Sequence, residues 1–546
     1  MRFIRSLAVV SLFAAVLGTT VPAHAQYNAN ASTAFPDLRR LQSDIQRPDG
    51  SAPPSQGPFG EQPTLPTPKD HPVAPPDAPS PWMITPQIQI SESLTDNAGL
   101  THDNRQADLQ SFINPSIAIQ GDTQLAKIDF SYSPVILRNI NVTNGNRVDQ
   151  NLFGTGTFSI IPDSLFINTR GSAFEGSRGG GMGPVNPIDL RFGDRTEVLA
   201  YDAGPEWRFP VPGISGATGD LRYSIGQTRF YNNTGTITTN GTTVAAPISD
   251  ATLQDLRFFL DSGDRGSLLA GQFTADGTRQ RISDGGGTND TGVIMVEGQL
   301  RLSSTFQLLG SAGYEDLRYS NFTYANQHEP TWYGGVRWQS ANDSLFQVTY
   351  GHRQGADSFA GQAKFPITPI TAAFANYGET ITTPQQQIIS SLNSSSLNAN
   401  HNVIDSSTGL PQSLVANELA LQNTIYRDRS FRAGLITTIA PDIYTVDVRY
   451  EDYVPIAGNS SADSYIGGEV RWDHALNETT TFSMTGGYYL RQVLNENTVT
   501  LMLGLSRLMT PTLIGSIGYE IDYGGSQQGQ RSFYKNSITA YLRKTF

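Results

Sequence analysis

From residue 82 to residue 546 apolar and polar side chains alternate with a period of two. Over 498–506, Val499, Leu501, Leu503 and Leu505 share one parity and Thr498, Thr500, Gly504 and Ser506 the other, with Met502 the exception. Over 443–451, Tyr444, Val446, Val448 and Tyr450 alternate with Thr445, Asp447, Arg449 and Glu451. Ile128, Phe130 and Tyr132 stand opposite Lys127, Asp129 and Ser131. Successive side chains of a strand face opposite sides of a sheet, so this dyad predicts half-buried β-strands. After the first segment no apolar run approaches the length of a membrane helix.

The pattern predicts strands over 82–94, 109–120, 124–133, 148–161, 163–174, 195–209, 219–232, 251–261, 265–274, 291–302 and 304–315. A second half follows over 330–339, 343–352, 355–365, 368–379, 427–439, 442–453, 462–475, 478–491, 495–509, 511–523 and 531–546. Every second gap is tight, with one looser member near Pro210 to Thr218, and most of the others are long. Short turns on one side and long loops on the other are the signature of outer-membrane barrels. The expected fold is all-β, a transmembrane antiparallel up-and-down barrel of about 22 strands, with 16–22 as the range. An even count brings both termini to one side, expected to be periplasmic. A barrel also suits a chain only 38% hydrophobic, because one face alone of each strand meets lipid. Trp332, Trp338, Trp472, Tyr488 and Tyr519 suit interfacial girdles.

Upstream of the barrel the material changes. Arg2 and Arg5 precede an apolar run over 7–17, and Ala23-His24-Ala25 closes it, the layout of a secretory signal peptide over 1–25 cut between Ala25 and Gln26. Residues 26–81 carry 12 prolines between 48 and 81 and few large apolar side chains, which predicts a disordered, Pro-rich periplasmic segment. The barrel then occupies 82–546. Its last strand ends on Phe546 with Leu542, Ala540 and Ile538 on the same parity, resembling the C-terminal assembly signal of outer-membrane proteins; Lys544 stands where an aromatic is usual.

There is no cysteine, so no disulfide contributes to stability. Removing the signal takes away two Arg and no acid and moves the net charge from −12 to −14, against a nucleic-acid partner. The expected surroundings are outer-membrane lipid, lipopolysaccharide and the barrel-assembly machinery. No catalytic, cofactor or metal site is expected. The histidines after the signal are His71, His102, His328, His352, His401 and His474, of which His352 with Asp357 offers an acid–base pair at the outer rim. Asp284, Asn289 and Asp290 in DGGGTND place three oxygen ligands on an outer loop, and a flexible glycine loop is the simpler reading.

The chemistry left is the pore lining. Parity points Lys127, Asp129, Asp255, Arg257, Glu297, Arg301, Arg337, Asp447, Arg449, Glu451, Glu469, Arg471, Asp473, Glu520, Asp522 and Arg543 into the lumen. Both signs are present, unlike the single-sign rings of a strong ion filter. Within the longest gap, 380–425, Pro384 followed by QQQIISSL reads as a helix start, and 413–425 has a second apolar stripe. Amphipathic helices there are expected to pack into the mouth and narrow it.

Five stretches resemble the β-barrel porin 2 family: SESLTDNAG at 91–99, NPSIAIQGDTQLAKIDFSYSP at 114–134, PDSLFIN at 162–168, YGETITT at 377–383 and YRDRSFRAGL at 426–435. That resemblance implies an outer-membrane channel in exopolysaccharide export, working with periplasmic polysaccharide-secretion proteins. A general diffusion or nutrient-uptake porin is the alternative, and a structural or adhesive barrel a third.

Overall fold

The computed structural model describes residues 81–546 apart from 143–144, 178–194, 214–215, 232–235, 240–241, 246–247, 264–267, 341–343, 398–402, 407–423, 458–461, 493–495 and 527–531. The signal peptide, its cut at Ala25–Gln26 and the Pro-rich segment lie outside the described residues, as does the second apolar stripe up to 423.

The alternating segments become one closed antiparallel sheet of 22 staves. They are β1 (Trp82–Thr95), β2 (Asp108–Asp122), β3 (Ala126–Tyr132 with Val135–Asn139), β4 (Arg147–Asp149 with Leu152–Ile161), β5 (Leu165–Ser177) and β6 (Arg195–Pro210). Next come β7 (Thr218–Tyr231), β8 (Ala251–Asp261), β9 (Leu269–Ile282), β10 (Gly287–Arg301), β11 (Phe306–Tyr319), β12 (Gln327–Gln339), β13 (Leu345–Arg353), β14 (Ala356–Thr368) and β15 (Thr371–Thr382). After helix α1 (Pro384–Ser394) the wall resumes with β16 (Ile425–Ile439), β17 (Asp442–Ala457), β18 (Asp463–Asn477), β19 (Thr480–Arg491), β20 (Glu496–Thr510), β21 (Leu513–Ser526) and β22 (Phe533–Thr545). The break in β3 falls at Pro134, which has no N–H to give the ladder.

Closure is made by β1 against β22, from Gln87 opposite Thr545 to Thr95 opposite Ser537. It removes the sheet edge, so no row of backbone donors and acceptors is left facing hydrocarbon. Phe546 continues the seam, its N–H donating to Pro86 O at 3.0 Å. Connections at the end of the barrel that holds both termini run from two residues at 440–441 to seven at 211–217. At the other end, the loop end, the chain between β15 and β16 runs over 383–424.

Facing follows register. Ile225, Leu256, Ile294, Val296 and Ile517 are large, apolar and exposed, so the outside of the wall is an apolar band. Aromatics border it at two levels. Trp332 and Tyr350 pack edge to face at 6.1 Å and Phe359 stacks on Tyr377 at 4.4 Å toward the loop end, while Trp338 with Phe365 and Tyr444 with Trp472 lie toward the terminal end. Trp332 and Trp338 are six residues apart on β12, about 20 Å along a strand, which approaches the ~25 Å height of an outer-membrane apolar band.

One hairpin departs from the sequence expectation. The strands expected to end at 274 and restart at 291 run on as β9 and β10, leaving only 283–286 as a turn. Beyond the lipid an outward side chain has no need to be apolar, so Gly277, Arg279 and Arg281 erase the dyad while the ladder continues. The turn uses Asp284, Gly285 and Gly287 at positive φ, the region glycine tolerates best. Asn289 and Asp290, consecutive on β10, therefore face opposite sides, Asn289 bonding Gln280 at 3.1 Å and Asp290 pairing with Arg279 at 2.7 Å. The three oxygens of DGGGTND do not converge on one ion.

Candidate constriction in the barrel lumen

Register puts all sixteen charged positions read from the sequence on the strand parity opposite the exposed apolar band. Most are tied into the wall. Asp447 accepts from Arg449 at 2.7 Å and from Arg432 at 2.9 Å. Arg471 donates to Asp473 at 2.8 Å, Arg337 to Gln347 at 2.8 Å and Thr278 to Asp255 at 3.2 Å. Glu297 accepts from Gln272, Glu451 from Tyr453, and Glu469 from Tyr489. Glu520 and Asp522 both reach Lys535 Nζ, at 3.4 and 3.1 Å. Arg257 sits opposite Asp276 on the β8–β9 ladder. Lys127 is exposed, and Asp129, Arg301 and Arg543 are half-buried.

Several inward charges escaped the sequence reading: Arg170, Asp202, Arg222, Glu315, Arg353 and Lys535. Each obeys the same period of two, so the signal was present. What the period does not reveal is which of them meet. Arg222 approaches Asp202 at 3.3 Å, and Arg353 donates to Glu315 at 3.1 Å.

Inside this polar lining lies an apolar patch. Phe153, Val198, Ala200, Phe230 and Leu253 are all buried and inward-facing, and Ile388, Ile389 and Leu392 of α1 pack on them. The chain leaving β15 turns inward and starts a helix. Thr383 caps it, its hydroxyl accepting from the Gln386 N–H at 3.2 Å, and Pro384 occupies the first turn, where its missing N–H costs nothing. Apolar residues at 388, 389 and 392 follow at helical spacing and form the stripe that meets the patch. Leu392 and Val198 are both 0% exposed. Each such side chain removed from water contributes about 1.5–3 kcal/mol.

Polar anchors fix the helix at both ends. Gln280 Nε2 donates to Thr383 Oγ1 at 2.8 Å, Gln385 Nε2 to Ser249 O at 3.0 Å, and Arg170 to Asn393 Oδ1 at 2.9 Å. Tyr426 donates to Gln387 Oε1 at 2.9 Å. Between α1 and the wall is a cavity of about 320 Å³, bounded by Arg222, Asp276, Glu315, Asp428, Gln386 and Ser390 among others.

The histidines lead elsewhere. His352 Nδ1 meets Asp357 at 2.7 Å and Nε2 meets Glu329 at 3.4 Å, so carboxylates occupy both ring nitrogens and neither serves a nucleophile. His474 pairs with Asp442 at 2.7 Å, and His328 with Asp316 at 2.7 Å. Among the described residues no three His, Asp or Glu side chains gather as a metal site.

A closed sheet with an apolar outside, aromatic borders and a charged inside leaves one environment. The chain is an outer-membrane β-barrel. No protein-family model matches it, and no curated protein does either. The motif resemblance to the β-barrel porin 2 family thus finds no support, and only the coarser barrel assignment stands. Solved structures that it resembles include the siderophore receptor PirA from Acinetobacter baumannii, at 8% identity and a TM-score of 0.47 over 85% of this chain and 80% of that one. The FrpB iron transporter from Neisseria meningitidis (F3-3 variant) aligns at 9% identity and 0.47 over 85% and 81%. The ferric citrate transporter FecA, unliganded, aligns at 9% and 0.41 over 85% and 78%. The barrel assignment rests on this chain's own sheet.

Proposed function

We propose that this outer-membrane barrel is a transport channel for small polar solutes, with α1 as the element that narrows it. One observation carries the reading. A helix held by four side-chain hydrogen bonds and an apolar patch lies against the inner wall, beside a cavity of only about 320 Å³. A barrel serving only as an outer-surface scaffold has no use for a helix docked to its inner wall. The polar lining, most of whose charges hold an ion-pair or hydrogen-bond partner, leaves few bare charges to trap a passing solute.

Exopolysaccharide export is the second reading. Its support is the mixed-sign lining, along which a hydrated, weakly charged chain slides without strong binding sites. It requires a polymer-wide passage beside α1, whereas a small solute needs less room, and we favour the small-solute reading.

Planar-bilayer recording tests both. The purified barrel is expected to conduct, and deletion of 386–422 is expected to raise single-channel conductance. Unchanged conductance after deletion would remove α1 from the pathway, and a barrel carrying no current in either form would end the transport reading.

A further inference from the structure

Around the α1 cavity two pairs of inward charges cancel, Asp202 with Arg222 and Glu315 with Arg353. Asp255 accepts from Thr278, and Asp276 is only half-buried. Asp428 on β16 is different. It lines the cavity, is only 7% exposed, and its Oδ1 is buried without accepting a hydrogen bond. Its ladder neighbours, Thr380 on β15 and Tyr453 on β17, carry no positive charge. The nearest inward charge along the next rung is another carboxylate, Glu451, opposite Ser430. The arginines that flank Asp428 in sequence, Arg427 and Arg429, have the opposite parity and other partners: Arg427 donates to the Gln354 carbonyl at 2.6 Å, and Arg429 meets Glu379 and Asp452, each at 3.3 Å.

A carboxylate held out of water is strongly unfavourable, so a buried carboxyl either keeps its proton or meets a cation. Across the cavity from Asp428 stands the polar face of α1, with Gln386, Gln387, Ser390 and Asn393 offering amide and hydroxyl groups of both hydrogen-bonding senses. A volume of about 320 Å³ sits at the small end of ligand pockets. The absence, among the described residues, of three metal-ligating side chains in one place argues against a bare divalent ion.

We propose that this cavity is a binding site for a hydroxylated solute carrying an ammonium group, of about monosaccharide size, with Asp428 as the counter-charge. The inference deepens the transport reading, since it names the solute class for the same narrowed passage. Its test measures binding rather than current, so the two stand or fall separately.

The probe is glucosamine at pH 6, with glucose as the uncharged control of the same shape, titrated against the detergent-solubilised full chain by saturation-transfer NMR. Glucosamine is expected to bind and glucose to bind at least about tenfold more weakly, the factor expected for a charge-assisted hydrogen bond. Asp428→Asn is expected to bring glucosamine down to the level of glucose, and Asp428→Glu to restore much of the difference. Asp357→Asn, on the outer face of β14, is expected to leave binding unchanged. Heat-modifiable gel migration verifies that each variant is folded. Equal binding of the two sugars, or a preference that survives Asp428→Asn in a folded barrel, overturns the assignment.

Discussion

The guanidinium of Arg170 on β5 donates a 2.9 Å hydrogen bond to Asn393 Oδ1 on α1, across 223 residues of sequence. Both groups are buried, so the contact pins the last turn of a loop-borne helix to a rigid stave. A bond from a charged donor contributes about 1.5–3 kcal/mol, comparable with one buried apolar side chain of the same helix. Arg170→Met keeps the long stem and removes the donors. The barrel is expected to fold normally while the C-terminal turn of α1 loosens. The chain has no cysteine, so a spin label on a single Ser390→Cys reports only that helix. Its spectrum should sharpen in the Arg170→Met background, and an unchanged spectrum would mean the apolar patch holds α1 without help.

The outward band makes a second prediction. Leu503 lies opposite Tyr519, an exposed outward residue, and Thr500 lies opposite the inward Asp522. Leu503→Arg puts a charge toward hydrocarbon near mid-strand and should cost about 2–4 kcal/mol. Thr500→Arg places the same charge in the polar lumen and should cost under about 1 kcal/mol. Urea titration of folding into lipid vesicles measures both, and equal losses would contradict the facing.

Lys535 supplies a third. It is 4% exposed and sits between Glu520 and Asp522 on the neighbouring stave. Lys535→Met leaves two buried carboxylates facing each other and should destabilise the barrel by about 3 kcal/mol, as breaking a buried ion pair does. Adding Glu520→Gln and Asp522→Asn removes the stranded charge and should recover most of the loss. Failure of that triple variant to recover would show that packing of the Lys535 stem, rather than charge, is what matters there.

Of the candidate site, the sequence alone supplied the start and the stripe of α1, because Pro384 and the apolar positions of QQQIISSL are local signals. It did not supply the dock. Phe153, Val198, Ala200, Phe230 and Leu253 come from β4, β6, β7 and β8, and each reads in its own strand as one more alternate residue. Their joint identity as an apolar island in a polar lumen exists only after the staves are set side by side.

The sequence by itself determined that the wall is a closed sheet of about 22 alternating staves, since a period of two is a property of neighbouring residues and lipid forces it on every crossing. It lost that power where lipid ends: β9 and β10 extend through 275–290 with Arg279 and Asp290 outward, and no apolar dyad marks them. Tertiary structure alone decided the pairings across staves, such as Lys535 with Asp522, and the isolation of Asp428 among uncharged or acidic neighbours. Parity fixes the face a side chain occupies, whereas its partner depends on the stagger of strands that closure imposes around the whole ring.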